Sequence, residues 1–283
     1  MPSSSSPTRR FTSSAGSSAV VAVGRRRERH AALLARLRWR LGTRRPVREL
    51  AVPIVGAGAE FVALAPADPE AVLDETARAH AARVAGAIWH VPYWATPWAS
   101  GIAVAEAVVA EPHAFLGRRV LELGCGLGIT AMALAGAGAE LFVADCWPET
   151  LAYCRFNALR YAGDRATVSP RLADWRTQAG RERLMRSGPF DVVVAADVLY
   201  EAEDVDPLRE LLPRLLRPEG SAWVAEPGRT TSRRFVDATD DAGWERRTIA
   251  VTRDPWPVDA GRATVRLHRY YGIGRPGTST PTC

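Results

Sequence analysis

The chain has 283 residues, and its 37 basic side chains are all arginine, set against 31 carboxylates for a net charge of +6. Without lysine it cannot supply the Walker-type phosphate contact, the strand lysine of a kinase, or the amine of Schiff-base and pyridoxal-phosphate chemistry. At 47% hydrophobic, and with no apolar run near the ~18 residues of a membrane span, the composition predicts one well-buried domain and no membrane segment.

Residues 1–50 hold twelve arginines against Glu28 and Glu49, and the remaining chain holds 25 arginines against 29 carboxylates. The basic excess therefore belongs to the N-terminal segment, and nucleic-acid binding is not expected of the mildly acidic body. Cys125, Cys146, Cys154 and Cys283 show no metal-ligand spacing. They read as reduced thiols of a cytoplasmic protein, or of the mitochondrial matrix if the source is eukaryotic. No metal site is expected.

Residues 1–46 form a Ser- and Arg-rich tail, expected to be solvated. Within it, Arg25 to Leu41 has the spacing of a basic helix with Leu33, Leu34, Leu37 and Leu41 on one side. Residues 47–110 read as an N-terminal extension. Short extended segments lie around Gly56 and Gly58, and Asp68-Pro69-Glu70 caps a helix running to about Ala87. The aromatic segment Trp89 to Trp98 follows, then a second helix from Ser100 to Ala110. In that segment Trp89 reads as core packing and His90 as a satisfied or exposed histidine.

Residues 111–272 form the core, and residues 273–283 a C-terminal tail. In the core, the strands Val120–Leu123, Glu140–Ala144, Ala166–Ser169, Phe190–Ala195 and Ser221–Ala225 alternate with helices at Ile129–Ala137, Pro148–Tyr161 and Pro207–Leu216. The last two strands, Thr248–Thr252 and Thr264–Arg269, have no helix between them. This order predicts a Rossmann-like, doubly wound α/β/α sheet, mostly parallel with an antiparallel C-terminal edge.

The sharpest motif is Val120-Leu121-Glu122-Leu123-Gly124-Cys125-Gly126-Leu127-Gly128. A strand enters a glycine turn that opens a helix, where backbone N–H groups and close approach suit an adenosine-type ligand. Asp145, 21 residues beyond Gly124, ends the second strand, where a carboxylate can accept both ribose hydroxyls. From Gly126 the pattern G-x-G-x-x-A is also met, which leaves NAD binding open on this loop alone. Glu122, where dinucleotide folds carry an apolar residue, argues against it. So do Asp174-Trp175 after the third strand and Ala195-Ala196-Asp197-Val198-Leu199-Tyr200 at the end of the fourth.

Together these motifs resemble the seven-strand class I methyltransferases that use S-adenosyl-L-methionine. Pro92-Tyr93-Trp94-Ala95-Thr96-Pro97-Trp98 and Glu226-Pro227-Gly228-Arg229 are similar to signatures of the lysine-methyltransferase branch, which includes enzymes acting on the β subunit of electron-transfer flavoprotein. The resemblance covers roughly residues 50–270. It implies that Trp98 lines the methionyl side, that Gly124, Gly126 and Gly128 form the cofactor loop with Glu122 before it also binding the cofactor, and that Asp145 meets the ribose. It further implies that Asp174 and Trp175 meet the adenine with Ala196 beside it, and that Asp197 and Tyr200 shape the acceptor pocket as the catalytic pair. The implied partner is a protein presenting a lysine. The chain reads Ala99-Ser100-Gly101 where the branch commonly shows Pro-Gly-Gly. The alternatives are a small-molecule amine N-methyltransferase, an NAD-dependent oxidoreductase and a non-catalytic binding module.

Overall fold

The computed structural model describes residues 14–58, 60–81, 93–256 and 261–273, with side chains from residue 22 onward except at 76, 77 and 79–81. Trp89, His90 and the expected run to Ala87 of the helix capped by Asp68, past Ala81, lie outside the described residues. The chain opens with α1 (Ser14–Arg44), then a hairpin of β1 (Val47–Val52) and β2 (Phe61–Pro66), paired antiparallel from Val47↔Pro66 to Val52↔Phe61. Helix α2 (Pro69–Ala81) begins where Asp68 accepts the Ala71 N–H at 2.9 Å. A single 3-10 turn at Tyr93–Ala95 leads into α3 (Ala99–Ala110).

The body then alternates: β3 (Arg119–Leu123), α4 (Ile129–Gly136), β4 (Glu140–Asp145), α5 (Pro148–Ala162), β5 (Thr167–Leu172), α6 (Gln178–Met185), β6 (Phe190–Ala196), α7 (Val205–Leu215), β7 (Leu216–Glu226), α8 (Thr230–Asp241), β8 (Glu245–Arg253) and β9 (Ala263–Tyr271). The seven strands stand in the order β5-β4-β3-β6-β7-β9-β8. The first five run parallel, β9 is antiparallel to β7, and β8 to β9. This is the expected doubly wound sheet with its antiparallel edge. Strand order reverses between β3 and β6, the switch point at which open α/β sheets bind ligands.

Each face of the sheet has its own core. One holds Val120, Leu141, Val143 and Val194 under α3, α4 and α5, and the other holds Leu121, Leu123, Val193 and Leu208 under α6, α7 and α8. Two helices escape the sequence pattern. Helix α6 is polar and starts where the Thr177 hydroxyl accepts the Gly180 N–H. Helix α8 (TTSRRFVDATDD) buries only Ser232, Phe235 and Thr239, too sparse for a visible stripe. Strand β7 also starts earlier than expected, at Leu216.

The largest difference concerns the N-terminal segment. Where a solvated tail was expected, α1 lies against the body with Leu37 and Leu41 buried in a cluster with Leu64, Trp94, Leu127, Tyr153 and Phe156. Burying each leucine contributes ~1.5–3 kcal/mol. Arg45, just past the helix, makes a two-pronged pair with Glu149 at 2.7 and 3.0 Å. The hairpin is tied in by Asn157, fully buried on α5. Its side chain accepts the Leu64 N–H at 2.7 Å and donates to the Leu64 and Leu127 carbonyls at 2.9 Å each. Removing it strands buried backbone groups on both β2 and the glycine loop. Asn157→Ala should therefore lower unfolding free energy by ~2–4 kcal/mol in urea titration, with a lower Tm.

Candidate active site

A cavity of about 350 Å³ opens over the carboxyl ends of β3, β4 and β6. Its lining includes Trp98, Glu122, Gly124, Gly126, Gly128, Asp145, Trp175, Ala196, Asp197 and Tyr200, so ten of the eleven expected residues meet there. Asp174 is the exception. Its carboxylate is engaged by Arg176, from the backbone N–H at 3.0 Å and from Nε at 2.8 Å. Arg176 lines the cavity in its place and reaches on to buried Asp204 at 3.1 Å.

The glycines of the loop after β3 serve different ends, and all three have positive φ. A Cβ on Gly124 would lie 2.6 Å from Val198, and one on Gly128 would lie 2.8 Å from the Cys154 backbone. Both are needed for close packing of the loop on its neighbours. Gly126 has no such crowding; a Cβ there would find nothing nearer than the Trp94 carbonyl at 3.7 Å, and its N–H donates to Asp145 at 3.2 Å.

Asp145 is buried at the end of β4, and its other oxygen accepts the Trp147 N–H at 3.0 Å. Burial raises its pKa, while the backbone donors at Trp147 and Gly126 work in the opposite direction. A carboxylate has about four lone-pair sites, so two backbone donors leave capacity for ligand hydroxyls. Glu122 is buried below it, pushed well above the usual carboxylate range by desolvation and then by the Asp145 charge. Glu122 Oε2 and Trp175 Nε1 are buried without hydrogen-bond partners among the described residues. Such orphans at a cavity wall fit a ligand that brings both donors and acceptors.

At the mouth, Asp197 takes a left-handed conformation with φ 57°, rare for a residue with a side chain. Its N–H stays bonded to the Ala225 carbonyl at 2.9 Å while the chain turns off β6 and drops Val198 over Gly124. The Asp197 carboxylate is gripped by Arg229 from Nε and Nη2, each at 3.1 Å. Burial raises its pKa and Arg229 opposes this. Burial likewise pushes the Tyr200 phenol up, so it is a neutral hydrogen-bonding group and not a base. The rings of Trp98, Tyr93 and Tyr200 meet edge to face at 5.8 and 6.0 Å, and Trp98 Nε1 donates to the Tyr93 carbonyl at 2.9 Å.

Tyr93, Arg176 and Arg229 line the cavity but were not expected as site residues. Tyr93 sits inside the aromatic segment and Arg176 directly follows Asp174-Trp175, so both had a local signal. Arg229 lies 32 residues from the Asp197 it holds, and only the Glu226-to-Arg229 turn marked it. Trp94 and Trp147 also line the cavity while packing toward α1, so they serve both wall and core. Burial holds the Cys125 and Cys146 thiols up and protonated, unsuited to nucleophilic attack. Among the described residues no cluster of His, Cys, Asp or Glu could hold a metal ion.

This wall fits S-adenosylmethionine as the chain's own residues present it: a glycine turn with a free face at Gly126, a ribose-competent carboxylate at Asp145, and an aromatic face at Trp175. Glu122 gives a separate test. Its raised pKa means that its neutral form is favoured by folding, and that stability is lost as pH rises from the ordinary value of 4.5 through the higher folded value. Glu122→Gln should therefore be more stable than the parent at mildly alkaline pH, with the difference vanishing below pH 4.5. Thermal melts across pH measure this directly.

Comparison with known proteins agrees with this geometry. A family model described as lysine methyltransferase matches residues 71–240. The electron transfer flavoprotein beta subunit lysine methyltransferase of Xenopus laevis is 33% identical over 140 residues, 49% of this chain and 53% of that protein. A ubiquinone biosynthesis O-methyltransferase of Xylella fastidiosa is 31% identical over 115 residues, covering 40% of this chain and 44% of the relative. The chain spans about half the length of the curated relatives it matches. A 16S rRNA N2 G1207 methyltransferase of T. thermophilus, solved with AdoMet and guanosine, shares the fold at TM-score 0.51 and 17% identity, over 80% of this chain and 50% of that one. By its strand order, its cavity and the family match, the chain belongs to the lysine methyltransferase family, within the class I methyltransferases that use S-adenosylmethionine.

Proposed function

We propose that the protein transfers a methyl group from S-adenosylmethionine to the side-chain amine of a lysine on another protein, in the cytoplasm. The observation that carries this is the junction of two differently built regions in one cavity. The glycine loop, Glu122, Asp145 and Trp175 form an adenosine-type cradle, and the rim of Tyr93, Trp98 and Tyr200 beside Asp197 forms an entrance for an amine.

When bound, the cofactor supplies an electrophilic methyl on a sulfonium with a good leaving group. The chain's task is then to align a nucleophile, and alignment alone can lower the barrier by several kcal/mol. A lysine that arrives as the ammonium must lose its proton to water and react as the neutral amine, because the ammonium has no lone pair. Desolvation among Trp94, Trp98, Tyr93 and Tyr200 disfavours the ammonium. Asp197, fixed by Arg229, accepts a hydrogen bond from the amine and orients it. Tyr200, held as a neutral phenol, can accept or donate a second.

A second reading, a small-molecule acceptor, is favoured by the likeness to the ubiquinone biosynthesis O-methyltransferase. Against it, Tyr93 and Trp98 are 43% and 36% exposed, an open rim suited to a lysine standing on a protein surface.

Incubating the protein with tritiated S-adenosylmethionine and lysate from its source should label a protein band. Label confined to small molecules would overturn the lysine reading. The chain has no lysine, so label at a lysine amine must sit on another molecule. Asp145→Asn should weaken cofactor binding by ~10-fold or more in calorimetry, as expected for loss of a charged acceptor. Asp197→Asn and Tyr200→Phe should each lower kcat by ~10-fold or more while leaving cofactor affinity within about twofold. Methyl transfer unchanged in both would refute their assignment to the acceptor pocket.

A further inference from the structure

We infer that the outward face of α1 is a docking surface for the acceptor protein, and that this acceptor carries an acidic patch beside its target lysine. The inference rests on the lysine reading above and adds how the acceptor is recognised.

Helix α1 spends its apolar stripe on the body, with Leu33, Leu34, Leu37 and Leu41 packed inward. Its opposite face carries Trp39, 71% exposed, with exposed Ala35 and Ala32 one turn and two turns before it. A tryptophan this exposed leaves a large apolar area in water and is a strong anchor for a partner. Arg36 and Arg40 stand beside it, and Arg25 and Arg29 continue the same side of the helix three to four turns earlier; none of these four forms an ion pair among the described residues. Arg26, Arg38 and Arg44 pair instead with Asp164, Glu49 and Glu149. By helical spacing, Arg29, Arg36 and Arg40 run as one row beside Trp39. Tryptophan flanked by arginine is the composition of interface hot spots.

The helix is fastened next to the cavity. Arg44 and Arg45 hold Glu149 on the first turn of α5, two residues after Trp147, which lines the cavity. Leu37 and Leu41 pack in the same cluster as Trp94 and Leu127, also of the cavity wall. At the mouth the sign reverses: exposed Glu201 lines the cavity and exposed Glu203 follows it. A surface complementary to both regions has a cationic lysine for the mouth and carboxylates for α1. A nucleic acid would be drawn to α1 and repelled at the mouth. An anionic membrane would find the apolar stripe of α1 already buried, with Trp39 and Val23 as the large apolar side chains left exposed on it among the described residues.

The test uses the full chain, an Arg29→Glu/Arg36→Glu/Arg40→Glu variant and Trp39→Ala. The probes are a fluorescein-labelled peptide with one lysine and a run of glutamates, the same peptide with glutamines, a DNA duplex, and vesicles of phosphatidylserine and phosphatidylcholine. Fluorescence anisotropy should show wild type preferring the acidic peptide over every other probe. The triple variant should raise KM for the acidic peptide by ~10-fold or more and Trp39→Ala by severalfold, with kcat and cofactor Kd unchanged. Unchanged cofactor Kd also shows that the variants are folded. Equal KM in wild type and triple variant overturns the inference, as does tighter binding of the duplex or the vesicles. If acidic-peptide binding depends on α1 but no probe is ever methylated, the docking surface stands and the lysine reading fails.

Discussion

The carboxylate of Asp145 holds two backbone segments at once, and the shape of the cavity follows from that. One oxygen fixes Gly126 in the loop after β3, and the other fixes Trp147 at the entrance to α5. Burying this charge is costly, as its raised pKa records, and the backbone donors offset part of the cost. Glu122 adds a second buried carboxylate close by, unfavourable to folding by itself. Two desolvated acids with an orphan oxygen between loop and sheet are poor design for stability alone. They make sense as a site whose remaining partner arrives with the ligand, so stability is given up where binding recovers it.

The same loop is supported from outside by elements that do not belong to the parallel sheet. Asn157 connects the Leu127 carbonyl of the loop to both backbone groups of Leu64 on β2. Through β2 and β1 the loop is linked to α1, and Arg45 just past that helix returns to Glu149 near Trp147. The N-terminal segment thus braces two sides of the cavity, at Leu127 and at Trp147. A displacement of α1 would reach the cofactor cradle through Trp94, Leu127 and Trp147, which line the cavity and pack in the cluster that α1 joins.

What the sequence made legible follows from where the physical signal is dense. The continuous apolar runs of β3, β4 and β6, buried on both faces, and the glycine turn after β3 need few assumptions, and ten of the eleven expected site residues share one cavity. Helix α8 was hidden because a helix lying on an already closed core has to bury only a few positions. The packing of α1 was hidden because its arginines dominate the composition, although the inward leucines were visible as a stripe. Asp174 stands outside the cavity lining for a different reason: its motif fixes the position in the chain but not its neighbours, and Arg176, two residues later, takes its Oδ1 and the place in the wall. The grip of Arg229 on Asp197 is a contact between distant segments, set by the parallel pairing of β6 with β7, which brings their carboxyl ends together, and by no local pattern.

The all-arginine cation set now has a structural meaning beyond exclusion. Arg45 on Glu149 and Arg269 on Glu111 are both two-pronged pairs, and Arg176 spans Asp174 and Asp204 with different nitrogens. Such bridges use the planar fork of guanidinium, which an ammonium cannot copy. A guanidinium also stays protonated at any physiological pH, so arginines can build a mouth of this kind without becoming the neutral amine that methyl transfer to lysine requires. The cations that build this site are therefore chemically inert to the reaction proposed for it. The amine that reacts has to come from outside, across a rim that presents aromatic edges and carboxylates to whatever brings it.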